Sequence, residues 1–172
     1  MKRALVLPGL LLGVLGVLLG GCGLQPVYSG GSKGVAATTL TQIAIAPIPD
    51  RAGYLITAAL HDRLGTPVAA PKYRLEVELD DQIIGFGVRG DNSIARERRT
   101  LRARYHLVDA ATGALILDAT ATSDAGIDRV SSDYAVVAAE TTALERNATD
   151  LAAQITVRLA RFAQAGGMVA AQ

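Results

Sequence analysis

The sequence predicts an α+β domain: a mostly antiparallel four-stranded sheet with two helices packed on one face, in the order β-α-β-β-β-α. Three observations predict it. Apolar and polar residues alternate in three successive runs, at 73–81, about 95–109 and 115–122. An apolar rhythm of three and four residues then runs from about 133 to 165. A short strand pattern and a short helical pattern precede them, and together these elements suffice for one sheet with one covered face.

Each element has its own warrant. Thr41-Gln42-Ile43-Ala44-Ile45-Ala46-Pro47 reads as a strand that ends at Pro47, which lacks an amide donor. Asp50 is placed to cap a helix running to about Leu64, where Gly65 and Pro67 stop it. Its buried stripe is Ile56, Ala59, Leu60 and Leu64. Tyr73, Leu75, Val77 and Leu79 then share one face of a strand, with Arg74, Glu76, Glu78 and Asp80 on the other. In the next strand Leu101, Ala103, Tyr105 and Leu107 face in; Arg96, Arg98, Arg102, Arg104 and His106 face out. Ala111-Thr112-Gly113 is a tight turn. After it Leu115, Leu117, Ala119 and Ala121 face in, and Asp118, Thr120 and Thr122 face out. The closing helix carries Tyr134, Val137, Thr141, Leu144, Ala148, Leu151, Ile155, Leu159 and Phe162 on one face, and Gly166-Gly167 ends it.

The start of the chain has a different character. Lys2 and Arg3 precede an uncharged run from Ala4 to Leu19, and Gly20-Gly21-Cys22 follows. A basic start, an apolar centre and small residues before a cut make a secretory signal. Pro8 and the glycines at 9, 13 and 16, with no basic cluster behind, favour that reading over a retained span. Leu19-Gly20-Gly21-Cys22 resembles a bacterial lipobox, in which the thiol takes up diacylglycerol and becomes the new N-terminus. Cys22 is the only cysteine of the 172 residues, and it sits where the leader ends. The expected organisation is a signal peptide at 1–21, the lipidated Cys22 and a flexible tether at 22–38, a single domain at 39–166 and a tail at 167–172. Gly23 after the cysteine favours export to the outer membrane.

Composition removes several function classes. Charged residues are 19% of the chain and the formal charge is +1; losing Lys2 and Arg3 with the leader takes it to −1. Nucleic-acid binding driven by gross charge is therefore excluded. A single cysteine cannot form an internal disulfide or a cysteine-rich zinc site. His61 and His106 lie on different elements with no metal-ligand spacing, and no GxSxG or SxxK occurs. Gly85-Phe86-Gly87-Val88-Arg89-Gly90 matches GxGxxG, but a strand rather than a helix follows it, so it reads as a hairpin loop and not a dinucleotide cradle. No cofactor and no catalytic set is expected.

The arginines are the remaining candidates. Arg89, Arg96, Arg98, Arg99, Arg102 and Arg104 fall within sixteen positions. If the hairpin folds about residue 90, Glu76 faces Arg104 and Glu78 faces Arg102, pairs worth about 0.2–1 kcal/mol each. That ladder does not cover Arg96, Arg98 and Arg99, whose counterparts near 81 to 84 include Gln82, Ile83 and Ile84. Surplus guanidinium suits bidentate capture of phosphate or carboxylate. In an outer envelope the matching polyanion is lipopolysaccharide, so these three are the candidate contacts for it.

Cys22-Gly23-Leu24-Gln25-Pro26-Val27-Tyr28-Ser29-Gly30 resembles the start of the mature chain in the lipopolysaccharide-assembly lipoprotein family, LptE, especially its alphaproteobacterial members. The order of strands and helices is similar to that family's layout along the whole mature chain. The resemblance implies a non-enzymatic outer-membrane lipoprotein, anchored by its N-terminal lipid, that plugs the large β-barrel LptD. It implies help with barrel folding and with lipopolysaccharide insertion. Only Cys22 carries over residue by residue. The alternatives are an auxiliary lipoprotein of an envelope lipid or solute transporter, and a small envelope hydrolase.

Overall fold

A computed structural model describes residues 34–88, 90 and 94–168. Its elements are α1 (Val35–Leu40), β1 (Ile43–Ile45), α2 (Asp50–Leu64), β2 (Tyr73–Val88), β3 (Ile94–Asp109), β4 (Leu115–Asp128) and α3 (Asp133–Gln164). The strands form one sheet in the order β1-β2-β3-β4. The leader, Cys22 and residues 23–33 lie outside the described residues.

The sheet is mostly antiparallel, as expected, but not purely so: one of its pairings is parallel. β2–β3 and β3–β4 are antiparallel, while β1 runs parallel to β2. The cause is the fifteen-residue α2 between them, which carries the chain back to the starting end, as a strand-helix-strand crossover must. α1 is a third helix that the expected order lacks. It occupies the end of the stretch read as tether, and its Leu40 is buried in the core.

One face of the sheet is dry. Leu75, Val77, Leu101, Ala103, Tyr105, Leu107, Leu117 and Ala121 are buried there, beneath Ile56, Leu60 and Leu64 of α2 and Leu144, Ala148, Leu151, Ile155 and Leu159 of α3. Burial of this kind stabilises by roughly 1.5–3 kcal/mol for each large side chain, before chain entropy is set against it. Tyr105 is 2% exposed, and burial pushes its hydroxyl pKa up. α2 sits close against the chain that leads into it. A Cβ on Gly53 would lie 2.4 Å from the Ile48 carbonyl oxygen, so only glycine fits there.

Several element ends differ from expectation. Asp50 is the first helical residue, at φ +68°, and Pro49 is the cap, with no side-chain bond. Pro47 and Pro49 stiffen the approach, and the bend falls on Asp50, a residue type that tolerates a left-handed backbone. The N-terminal cap of α3 is Ser132, whose hydroxyl accepts from the Ala135 amide. Tyr134 and Val137 are 86% and 59% exposed, so the buried stripe begins instead at Val136 and continues through Ala143 and Leu144. Leu115 also faces solvent. A register shift pairs Leu107 with Leu117 but Val108 with Leu115, and the extra residue on β4 turns Leu115 to the other face.

The hairpin turns about position 91, not 90. Glu76 is opposite His106, Glu78 opposite Arg104 and Asp80 opposite Arg102. The slip is two residues, so every side chain keeps its predicted face while its partner changes. At the other end of the sheet Met168 is 1% exposed, and the Tyr73 hydroxyl donates to its carbonyl oxygen. Met168, placed in the tail, therefore contributes a core side chain and a clasp on β2, while residues 169–172 lie outside the described residues.

Candidate functional site

Beyond Leu79, strand β2 leaves its cover. Residues 80–87 of β2 are all exposed, although pairing with β3 continues to Val88 and Ile94. At roughly 3.3 Å per residue, Phe86 stands about 40 Å along β2 from Tyr73, where α1 and β1 enter the fold. This far end is the tip. Gly87 adopts φ +75° there within the strand, so the glycine motif serves a hairpin end. Arg89 and residues 91–93 are outside the described residues.

The outer face of the sheet is striped by charge. β2 carries Glu76, Glu78 and Asp80; β3 carries Arg96, Arg98, Arg102, Arg104 and His106; β4 carries Asp118, Asp124 and Asp128. Three of the β3 cations turn toward β4. Arg104 meets Asp118 at 2.9 Å, His106 meets Asp118 at 3.2 Å, and Arg96 meets Asp128 at 3.1 Å. The hydrogen bond from Arg104 holds the Asp118 carboxyl below the usual carboxylate range and raises Arg104 in turn. Arg98 makes no ion pair among the described residues; its guanidinium lies over the Phe86 ring, 5.4 Å from the centroid.

The three candidate arginines are not together. Arg96 and Arg98 share the outer face with Ile84 and Phe86, to which they are directly opposite. Arg99 points to the inner face, because its odd position follows Leu101 and Ala103. It donates to both Asp81 carboxylate oxygens, at 2.9 and 2.5 Å, and to the Glu140 carbonyl at 2.8 Å. Its side chain is 14% exposed, and the hydrogen bond to Asp81 raises its pKa. Arg99 thus ties β2, β3 and α3 to one another.

That inner-face network was not anticipated. Asn147, 1% exposed on α3, donates to the Arg99 carbonyl and accepts from the Ser123 hydroxyl. Glu97, 5% exposed, accepts from Arg129 at 2.6 Å, and its second oxygen is buried with no partner among the described residues. The period-two pattern that buried Leu101 assigns Glu97 and Arg99 to the same face; their charge concealed it. Among the described residues no cluster of His, Cys, Asp or Glu could hold a metal ion.

The tip surface that remains is amphiphilic. Ile84 is 58% and Phe86 41% exposed, beside Arg96 and Arg98, with Ile83 exposed on the opposite face. Such a surface offers apolar contact and guanidinium donors together, the chemistry that suits an anionic lipid.

The described residues form a small two-layer α+β body with an amphiphilic tip and a polar outer face. The chain belongs to the LptE family of lipopolysaccharide-assembly proteins, whose model matches residues 40–159. That family is one of non-enzymatic assembly lipoproteins. Among solved structures, the chain is similar to one from Caulobacter crescentus assigned as a lipoprotein, at 26% identity and TM-score 0.63, covering 75% of this chain and 96% of that one. It is similar in fold to a minor lipoprotein from Acinetobacter baumannii, at 15% identity and TM-score 0.54, covering 69% and 88%. Lipoprotein B from Nitrosomonas europaea matches at 14% identity and TM-score 0.57, covering 72% and 83%. No curated protein sequence matches the chain.

Proposed function

We propose that the chain is exported by a leader at 1–21, lipidated at Cys22 and held at the outer membrane. There it forms a complex with the lipopolysaccharide-translocating β-barrel LptD and occupies its lumen. In that position it assists barrel assembly and delivery of lipopolysaccharide to the cell surface. The observation that carries this reading is the family match over 40–159, which spans most of the folded domain. The charge-striped outer face supports it, because the interior of a large barrel is itself polar.

Within this reading, Arg96 and Arg98 bind the phosphates of lipopolysaccharide while Ile84 and Phe86 meet its apolar part. Arg99 is not included, since its donors serve Asp81 and Glu140. The test is affinity isolation from detergent-solubilised outer membranes. A stoichiometric complex with a large barrel that survives mild detergent is the expected result. Recovery with an inner-membrane ATPase system instead would assign the chain to a transporter. Arg96→Glu with Arg98→Glu should weaken lipopolysaccharide binding at least about tenfold; unchanged binding removes the arginines from the proposal. Cys22→Ala should abolish the acyl mass on the mature protein.

A further inference from the structure

The sheet has a long open edge that its neighbours do not close. β1 pairs with β2 only from Tyr73 to Leu75, and Ala46-Pro47 then carries the chain away. The Tyr73 amide donates to Gln42 and the Leu75 carbonyl accepts from Ala46, so odd positions of β2 address that edge. Even positions address β3, as the Lys72 carbonyl bonded to Ala110 confirms. From Val77 to Ile83 the odd amides and carbonyls therefore lie along an edge with no paired strand among the described residues.

Beside this edge is a cavity of about 660 Å³. Val77, Leu79, Leu144, Pro49 and Ala52 make its lining largely apolar, and Asp50, Arg51, Glu78, Asp81 and Arg99 add charged groups to it. An extended segment lying against β2 would place alternate side chains in this apolar space, with its remaining side chains on the outer face. On that outer face it would meet Glu76, Glu78 and Asp80. Glu78 and Asp80 make no ion pair among the described residues: Arg104, opposite Glu78, has turned to Asp118, and Asp80 accepts only from the Gln82 amide beside it. Across the sheet the columns run acidic, basic, acidic from β2 to β4, so the stripe missing at the open edge is basic.

We propose that the β2 edge from Val77 to Ile83 receives an extended segment of a partner protein as an added antiparallel strand. The segment carries apolar residues toward the cavity and Lys or Arg at the alternate positions. A second copy of this chain is the wrong occupant, because β2 against β2 would set one acidic column beside another. The edge charges that guard against self-pairing thus also select a basic strand. Antiparallel addition is the more stable direction for an unlinked strand. This inference is independent of which barrel or transporter the domain serves.

The test uses the full chain in detergent and the peptide acetyl-Lys-Val-Lys-Val-Lys-Val-Lys-amide. Binding should move the amide resonances of Val77, Leu79, Asp81 and Ile83. N-methylation of the valine amides, which face β2 in antiparallel register, should weaken binding by about tenfold or more. N-methylation of the lysine amides should leave it within about threefold. Glu78→Lys with Asp80→Lys, two exposed side chains outside the core, should also lower affinity about tenfold. Shifts confined to β3 and β4, or equal response to the two methylated peptides, would overturn the proposal. So would self-association of the free chain through β2.

Discussion

The base and the tip of this molecule use the same three strands for different ends. At the base, β2, β3 and β4 lie under two helices, and Leu75, Leu101 and Leu107 are fully buried. At the tip β2 continues in register with β3 but with little above it, and Ile83, Ile84 and Phe86 stand in solvent. Backbone pairing is continuous along the hairpin; burial is not. Ladder hydrogen bonds each add only about 0.5–1.5 kcal/mol net, so stability should fall along β2 as apolar cover is lost. The difference teaches that strand length and core length are separate properties, and that function can occupy the excess.

Core truncation should separate the two ends most sharply. Leu151→Ala or Ile155→Ala, both at 0% exposure, should cost about 2–5 kcal/mol in urea unfolding. Phe86→Ala should cost about 1 kcal/mol or less, its one aromatic contact being with Arg98. Similar losses at the two sites would mean that the tip is packed as firmly as the base. Glycine substitution gives a second contrast. Gly53→Ala forces a side chain onto the Ile48 carbonyl and should lose about 1–3 kcal/mol, whereas Gly126→Ala, with open space around it, should change stability by about 0.5 kcal/mol or less.

Where base and tip meet, the polar network should matter more than the surface pairs. Asn147→Ala leaves the Arg99 carbonyl and Ser123 short of a partner and should cost about 1–3 kcal/mol. Arg96→Ala removes an exposed pair with Asp128 and should cost about 0.5 kcal/mol or less.

The smallest effect is a dependence on acid. Asp109, bonded by the Thr112 amide and hydroxyl and by the Ala111 amide, and Asp118, bonded by Arg104, both have lowered pKa values when folded. The unfolded chain takes up their protons first as pH falls. Their contribution is complete above about pH 4 and fades as pH drops through the folded values. Asp109→Asn and Asp118→Asn should narrow the difference between urea midpoints at neutral pH and at pH 3. An unchanged difference would place the acid sensitivity elsewhere.

Legibility followed burial. Leu101 to Leu107, Ile56 to Leu64 and Leu144 to Leu159 were readable because each repeats the period of its element against a dry neighbour. Tyr134 and Val137 fit the helical rhythm in composition alone; nothing in a single sequence shows that the first turns of α3 leave that face uncovered. The direction of β1 was readable from its crossover helix, and the parity of Arg99 from its neighbours. The two-residue register slip was not, since either pairing buries the same faces. The organisation around Cys22 rests on the lipobox pattern.

The position of α3 in the chain governs when this domain can form. It is the last element among the described residues, and with α2 it supplies the lid over the dry face of the sheet. A growing polypeptide that has not reached residue 133 has its three long strands but lacks most of that lid. Leu101, Ala103, Tyr105 and Leu107 then have no partner to close on, and early compaction is denied a stable end point. The domain can close fully only once α3 has been made, and until then the earlier strands lack most of their cover. A chain ending at residue 132 should accordingly show no cooperative melting transition, and a sharp one would mean that the strands had found another cover.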